Sequence, residues 1–341
     1  MMRRLLFVLV AVAVSGCRAA PPSPHLVQRT ELEMGSSLTL TAWTADETAA
    51  NEAFSRVFAE FDRLDRLMSV WKPESDIVKV NAAAGVHPVA VSPDVIDVVS
   101  IARQVSEWTE GKFDITFGAL SDVWKFDQDQ DDSIPSAEAI AARLPFIDYR
   151  QLRIDPAAGT LFLAKQGMRA HLGGIGKGYA VDKAVAILRE HGINDFMVQA
   201  GGDMYVGGRR GDRAWRLGIN DPRGKGGDSF ATIELSNETL STSGDYERYF
   251  IRDGVRYHHI LDPALGQPAR GARSVTIVTK RAVIADGLST GVFVLGPEKG
   301  MALIERLPDV EGVIVTSKNE VLVSSGLKGR VTLVHQPADF P

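Results

Sequence analysis

The sequence predicts an α+β fold, with helices packed against mixed or antiparallel sheets. Three observations carry this expectation: several segments repeat apolar residues at helical spacing, short β-rich runs crowd the second half, and strand and helix signals lack the strict alternation of a doubly wound parallel sheet. From Glu47 to Met68, the residues Phe54, Val57, Phe58, Phe61, Leu64 and Leu67 line one face of a long amphipathic helix. A second helix is expected over residues 93–110, opened by Pro93, with Val95, Val99, Ala102 and Val105 on one face and Gly111 as its stop. Residues 136–144 read as a third, shorter helix. Residues 161–164 and 168–171 read as extended segments that lead into a glycine-rich turn, then a helix through Ala180, Ala184 and Leu188 that Gly192 ends. Strands are expected at 196–199, 215–219, 231–235, 249–252, 274–279, 313–316 and 321–323, interrupted by a helix over 285–295 and another after Pro297. The acidic stretch 127–133 reads as a solvated loop.

The N-terminus carries a different signal. Arg3 and Arg4 precede ten apolar residues, Leu5 to Val14, and then Ser15, Gly16 and Cys17. That is the pattern of a secretory signal, too short to cross a bilayer as a helix. Cys17 is the only cysteine, so no disulfide can form within the chain. Val14-Ser15-Gly16-Cys17 resembles the lipobox of bacterial lipoproteins. The expected organisation is a signal peptide over 1–16, a Pro-rich tether over 17–25 lipidated at Cys17, and one large domain over 26–341. The expected location is the periplasmic face of a membrane, with Arg18 pointing to the outer membrane. A net charge of −5 and a pI near 5.9 argue against a generic nucleic-acid binder.

Chemistry-bearing residues concentrate in a few places. The segment His171-Leu172-Gly173-Gly174-Ile175-Gly176-Lys177-Gly178 runs from an extended stretch into a helix, where backbone amides attract phosphate. Its spacing fits neither the dinucleotide fingerprint nor a P-loop, and a tight connection alone would account for it equally well. Gly201-Gly202-Asp203 adds a carboxylate to a second glycine turn. Ser243-Gly244-Asp245-Tyr246 and His258-His259-Ile260-Leu261-Asp262-Pro263 follow. In Ala285-Asp286-Gly287-Leu288-Ser289-Thr290, a helix would put Asp286 and Thr290 on one face, as oxygen ligands for a hard cation. An N-capping Asp with a Thr bonded back to the helix fits the same spacing.

Taken in order with Met34-Gly35-Ser36, Met68-Ser69-Val70-Trp71 and Gly111-Lys112-Phe113-Asp114-Ile115-Thr116, this set resembles the ApbE family of FAD:protein FMN transferases from about Met34 to Gly296. The resemblance implies a T-fold-like α+β architecture, FAD as substrate and Mg²⁺ at its pyrophosphate. It implies metal ligation by Asp286, Thr290 and the carbonyl of Gly174. Flavin-nucleotide contacts would come from Met34, Trp71, Lys112, Phe113, Asp114, His171, Lys177, Asp203 and Tyr246. His171 stands where the family usually carries Asp, Gly287 where Ala is common, and Trp71 where a Tyr often stacks near the flavin.

The implied reaction is attack by a Ser or Thr hydroxyl of a target flavoprotein, a subunit of a membrane redox complex, on the FMN-side phosphorus, with AMP leaving. His259, with an ordinary pKa of about 6.5, is the candidate general base. Asp245 would orient the base or bind the flavin. An enzyme that passes FMN to water, or a lipoprotein that holds FAD without turnover, would carry nearly the same residues.

Overall fold

The computed structural model describes residues 23–127 and 129–340; Cys17 and the whole expected signal lie outside them. The chain begins with β1 (His25–Glu33) and β2 (Ser36–Thr44), followed by α1 (Glu47–Met68), α2 (Asp76–Ala82), β3 (Val89–Ala90), α3 (Pro93–Trp108) and α4 (Ala137–Ala141). Next come β4 (Leu152–Asp155), β5 (Thr160–Leu163), α5 (Gly176–Glu190), β6 (Phe196–Ala200), β7 (Asp203–Gly207), β8 (Trp215–Asn220), β9 (Ser229–Leu235) and β10 (Glu238–Gly244). The remainder is β11 (Tyr249–Arg252), β12 (Val255–His258), β13 (Leu261–Asp262), β14 (Gln267–Pro268), β15 (Ala272–Thr279), α6 (Ala282–Leu295), α7 (Pro297–Arg306), β16 (Glu311–Thr316), β17 (Val321–Val323) and β18 (Val331–Leu333).

The α+β expectation holds. Eight strands in the order β1-β2-β6-β7-β10-β15-β16-β17 form one sheet in which every neighbouring pair is antiparallel. Its two faces are covered differently. On one, α1, α3, α5 and α6 bury Phe54, Phe61, Leu64, Phe196 and Phe293 in the main core. On the other, the three-stranded sheet β18-β9-β8 packs Trp215, Leu217, Phe230 and Ile233 against Val206, Leu240, Val278 and Val313. Alternation in the strands follows from this sandwich, because each large-sheet strand serves two cores.

Local chemistry sets the ends. Asp46 caps α1 by accepting the Ala49 N–H at 2.9 Å, and Ser92 caps α3 ahead of Pro93. The helix α3 stops at Trp108, two residues short of expectation, because Glu110 and Gly111 turn left-handed at φ 54° and 79°. The third expected helix is only one turn and a half, Ala137–Ala141, and Pro145 then directs a separate 3-10 turn, Leu144–Phe146. Residues 168–171 are not a strand. The segment makes one isolated parallel bridge, Arg169 with Phe117, with His171 N–H donating to Ile115 O at 2.8 Å, while on its other side the Asn81 side chain accepts from Ala170 N at 2.7 Å and donates to Ala170 O at 3.0 Å. The β1–β2 hairpin, unexpected from the sequence, turns on Met34 and Gly35 at φ 47° and 75°.

Candidate active site

The site forms where α5 and α6 meet the central strands β7 and β10 of the large sheet. The two helices hold each other by exchanged carboxylates: Asp182 of α5 accepts the N–H groups of Ala282 and Val283 at 2.7 and 3.2 Å, and Asp286 of α6 accepts Gly178 N–H at 2.8 Å. Such close approach requires glycine at 178, where a β-carbon would lie 2.4 Å from Ala282 O and 2.6 Å from Asp286 Cβ. Asp286 is therefore an interior residue of α6, one turn past its start, and the N-cap alternative falls away. Thr290 lies one turn further on the same face. Its Oγ1 meets Ser243 Oγ at 3.1 Å, and a β-carbon added at Gly174 would sit 3.6 Å from it. The glycine turn thus brings Gly174, Asp286 and Thr290 to one place.

Lys177, in the first turn of α5, reaches Asp203 at the start of β7, Nζ to Oδ2 2.7 Å. Asp203 is buried and accepts a second bond from Ser241 Oγ of β10. Burial opposes the charge on Lys177, but the carboxylates of Asp203 and Asp286 outweigh it and hold its pKa above the ordinary value. Burial, then the charge of Asp203, pushes the Asp286 carboxyl up, with Lys177 and the Gly178 amide opposing. A buried carboxylate in this state is relieved by a nearby cation.

A hard divalent ion fits these donors: a carboxylate, a hydroxyl and a backbone carbonyl are all oxygen, the set Mg²⁺ prefers. Among the described residues no group of three or more His, Cys, Asp or Glu converges to hold a metal.

His259 follows β12 and is half-buried. Its backbone N–H donates to Arg248 O at 3.1 Å, and its Nδ1 lies 3.3 Å from the same oxygen. Burial first, then the positive charges of Arg248 and Lys177, push its pKa well below 6.5 and leave it neutral. Its neighbour His258 faces inward, Nε2 to Ala269 O at 2.8 Å.

The other expected residues divide into groups. Met34 overhangs the start of α5, its methyl 3.9 Å from where a β-carbon on Gly176 would be. Phe113 is buried in the main core and touches the Gly174 turn. Lys112 grips both oxygens of Asp262 at 2.8 and 2.9 Å, joining two of the sequence motifs. Asp114 is buried and spends its oxygens on Thr116 and the Tyr149 amide, so it organises its own loop. His171 accepts from Gly173 N–H at 3.0 Å and packs on Phe117; burial and Arg169 push it down to about 4. Tyr246 packs over Gly244. Trp71 is 47% exposed in the turn after α1, outside the core.

Asp245 does not orient His259. It is locked in a two-pronged ion pair with Arg223, at 2.6 and 2.7 Å, both side chains nearly buried. Sequence reasoning passed over Arg223 because it sits in a Gly-rich loop with no motif around it. It also gave no role to Ser241, Ser243 and Asp182, although all three fall within or beside the segments it singled out.

Known proteins resemble this chain over most of its length. An FAD:protein FMN transferase of Klebsiella pneumoniae (strain 342) is 34% identical over 305 residues, covering 86% of this chain and 87% of that protein. One of Treponema pallidum (strain Nichols) is 33% identical over 322 residues, covering 90% and 89%. The solved ApbE protein of Thermotoga maritima superposes with a TM-score of 0.83 at 32% identity, covering 90% of this chain and 99% of that one. The flavin transferase ApbE of Vibrio cholerae gives 0.79 at 30% identity with the same coverage. Fold and cleft together define an α+β enzyme of the transferase class. The sequence profile of the ApbE family matches residues 34–314, and the chain belongs to that family.

Proposed function

We propose that this chain transfers FMN from FAD, through a phosphoester bond, to a Ser or Thr hydroxyl of a target flavoprotein, releasing AMP. The observation that carries the reading is the convergence of Gly174, Lys177, Asp203, Asp286 and Thr290 at the junction of α5, α6 and the sheet, in a chain whose relatives bear that activity's name.

Phosphoryl transfer asks a protein mainly for alignment and charge neutralisation. A Mg²⁺ held by Asp286, Thr290 and the Gly174 carbonyl would supply neutralisation at the pyrophosphate. Lys177 adds a fixed positive charge beside that position, kept protonated by Asp203. The amides opening α5 favour an anion there. His259, neutral because it is desolvated, has a free site for the proton of an attacking hydroxyl, and an approaching phosphate anion would raise its basicity. Glu247, whose own pKa is raised by burial, stands within the field of Lys177 and Asp203.

The proposed setting is extracytoplasmic: signal removal, lipidation at Cys17 and a tether that holds the domain beside membrane redox complexes. The test mixes the protein with FAD, Mg²⁺ and a purified acceptor subunit, and reads intact mass and AMP. The expected result is an FMN-sized mass increase on the acceptor, abolished by His259→Ala and by Asp286→Ala. Free FMN with an unmodified acceptor would replace the transferase with an FAD pyrophosphatase.

A further inference from the structure

Strand β10 presents hydroxyls to the cleft at alternate positions, as the two-residue period of a strand requires. Ser241 Oγ donates to the Asp203 carboxylate. Two residues further, Ser243 Oγ reaches α6, where it lies 2.8 Å from Ser289 Oγ and 3.1 Å from Thr290 Oγ1. Ser289 is 1% exposed, and its Oγ is 2.9 Å from Asp286 O. The Asp286 carbonyl, Ser289, Ser243 and Thr290 therefore form one hydrogen-bonded chain.

Counting protons fixes its direction. A hydroxyl has one proton to donate and two lone pairs with which to accept. A carbonyl oxygen only accepts, so the Ser289 proton goes to Asp286 O. Ser289 then has nothing left to donate, and its contact with Ser243 is a bond from Ser243 to Ser289. Ser243 has used its own proton in turn, so the last contact is a bond from Thr290 to Ser243. A helical Thr often donates instead to the carbonyl four residues back. For Thr290 that carbonyl is Asp286 O, which Ser289 already occupies. The Thr290 proton thus points to β10, and both lone pairs of Oγ1 are left unspent beside the Gly174 turn.

A hydroxyl ligates a cation through its oxygen, with the proton turned away. We infer that Ser243 is a positioning residue for the cation site: it accepts the Thr290 proton while committed to Ser289, and so keeps the Thr290 lone pairs free for Mg²⁺. This inference rests on the Mg²⁺ site proposed above. Ser243 is not itself a ligand; it acts through Thr290. Because the chain ends on the backbone of Asp286, it also ties two of the expected ligands together.

Ser243→Ala removes the acceptor of the Thr290 proton, and Ser289→Ala frees the Ser243 proton to turn back towards Thr290. Ser243→Thr keeps a hydroxyl in place. Four quantities are measured on the full-length protein: the Kd for Mn²⁺, an oxygen-seeking substitute for Mg²⁺, from the free-ion electron paramagnetic resonance signal with FAD present; the Kd for FAD in EDTA by flavin fluorescence; the Mg²⁺ concentration giving half-maximal AMP release; and the melting temperature. Ser243→Ala is expected to raise the Mn²⁺ Kd and the Mg²⁺ requirement about tenfold or more, the scale for an outer partner of a metal ligand. Ser289→Ala should shift both in the same direction, Ser243→Thr should restore most of the affinity, and the Kd for FAD in EDTA should stay unchanged in all three. Wild-type metal affinity in both alanine variants would overturn the positioning role and leave the metal site standing. A matching loss of FAD affinity in EDTA would overturn it too, by assigning Ser243 to the nucleotide. If Ser243→Ala fails to melt cooperatively, Ser289→Ala decides in the same two ways. Wild-type protein that binds no Mn²⁺, like an Asp286→Ala control, would overturn the Mg²⁺ site and this inference with it.

Discussion

Three histidines of this chain are held neutral by burial, and His258 is the one whose cost is easiest to isolate. It is 2% exposed, binds Ala269 O through Nε2, and is pushed from 6.5 down to about 4, burial being the main cause. On acidification the unfolded chain takes up this proton first. A depressed pKa in the folded state therefore gives stability that is fully present above about pH 6.5 and is lost as pH falls toward about 4. At most about 3 kcal/mol rides on this one group, at 1.36 kcal/mol per pKa unit. His171 and His259 move in the same direction. The urea midpoint is expected to fall between pH 7 and 4, and His258→Gln to flatten that fall; an unchanged slope would sink the assignment. Arg223 makes a second case. Replacing it with Met leaves the Asp245 carboxylate buried and unpaired, a loss of about 3–5 kcal/mol by precedent, while Arg223→Lys restores one prong and part of the stability. Denaturation midpoints of the two variants check this. At this scale the sequence announced residues that sit in motifs, Lys177, Asp203, Asp286 and Thr290 among them. It was silent on Arg223, because an ion pair between residues 22 apart on a loop and a strand end leaves no local pattern.

Among the elements, the α5–α6 pair carries the site, and its geometry depends on Gly178. A β-carbon there meets Ala282 O and Asp286 Cβ, both of them parts of a buried helix that cannot yield as a flexible side-chain tip would. Gly178→Ala is expected to destabilise by about 1–3 kcal/mol, the usual range for overpacking, despite alanine's better helix propensity. If Asp286 holds the proposed Mg²⁺, the variant should also bind FAD more weakly in the presence of Mg²⁺, because the Gly178 amide that holds Asp286 moves with the backbone. Thermal denaturation and a Mg²⁺ titration of FAD binding together check it, and full stability would refute the packing argument. The long helices were legible because a wide buried face imposes 3.6-residue spacing: α1 appears with the ends that its apolar pattern and the Asp46 cap dictate. Strands with polar faces were not. β1 lies at the sheet edge with only Val27 buried, and β10 fills its buried positions with Thr239 and Ser241 as well as Leu240, so neither shows apolar alternation. Segment 168–171 is extended as its sequence suggests, but it makes only an isolated bridge to Phe117 and pairs with the Asn81 side chain on its other side, so it forms no ladder.

For the whole molecule, the layered fold explains why one chain can bury a charged site without losing its core. The helical layer and the β8–β9–β18 layer are separate apolar clusters on opposite faces of the large sheet, and the cleft opens on the helical side, between α5, α6 and the ends of β7 and β10. The β1 strand, which begins the described domain at His25, lies at the outer edge of that sheet, so a tether preceding it need cross neither the core nor the cleft. This arrangement permits a domain that works while anchored. If Cys17 carries the lipid, its acyl chains contribute about 0.8 kcal/mol per buried methylene, and two or more chains give stable attachment. Among the described residues no helix is long and apolar enough to cross a membrane. Cys17→Ser, expressed in a bacterial host with its signal intact, is therefore expected to leave the membrane fraction and to lose incorporation of labelled palmitate. The same variant should keep its turnover of FAD in detergent solution, since Cys17 lies well before β1. Retention of the variant in carbonate-washed membranes would mean that attachment comes from the uncleaved apolar run, and the lipid anchor would have to be given up.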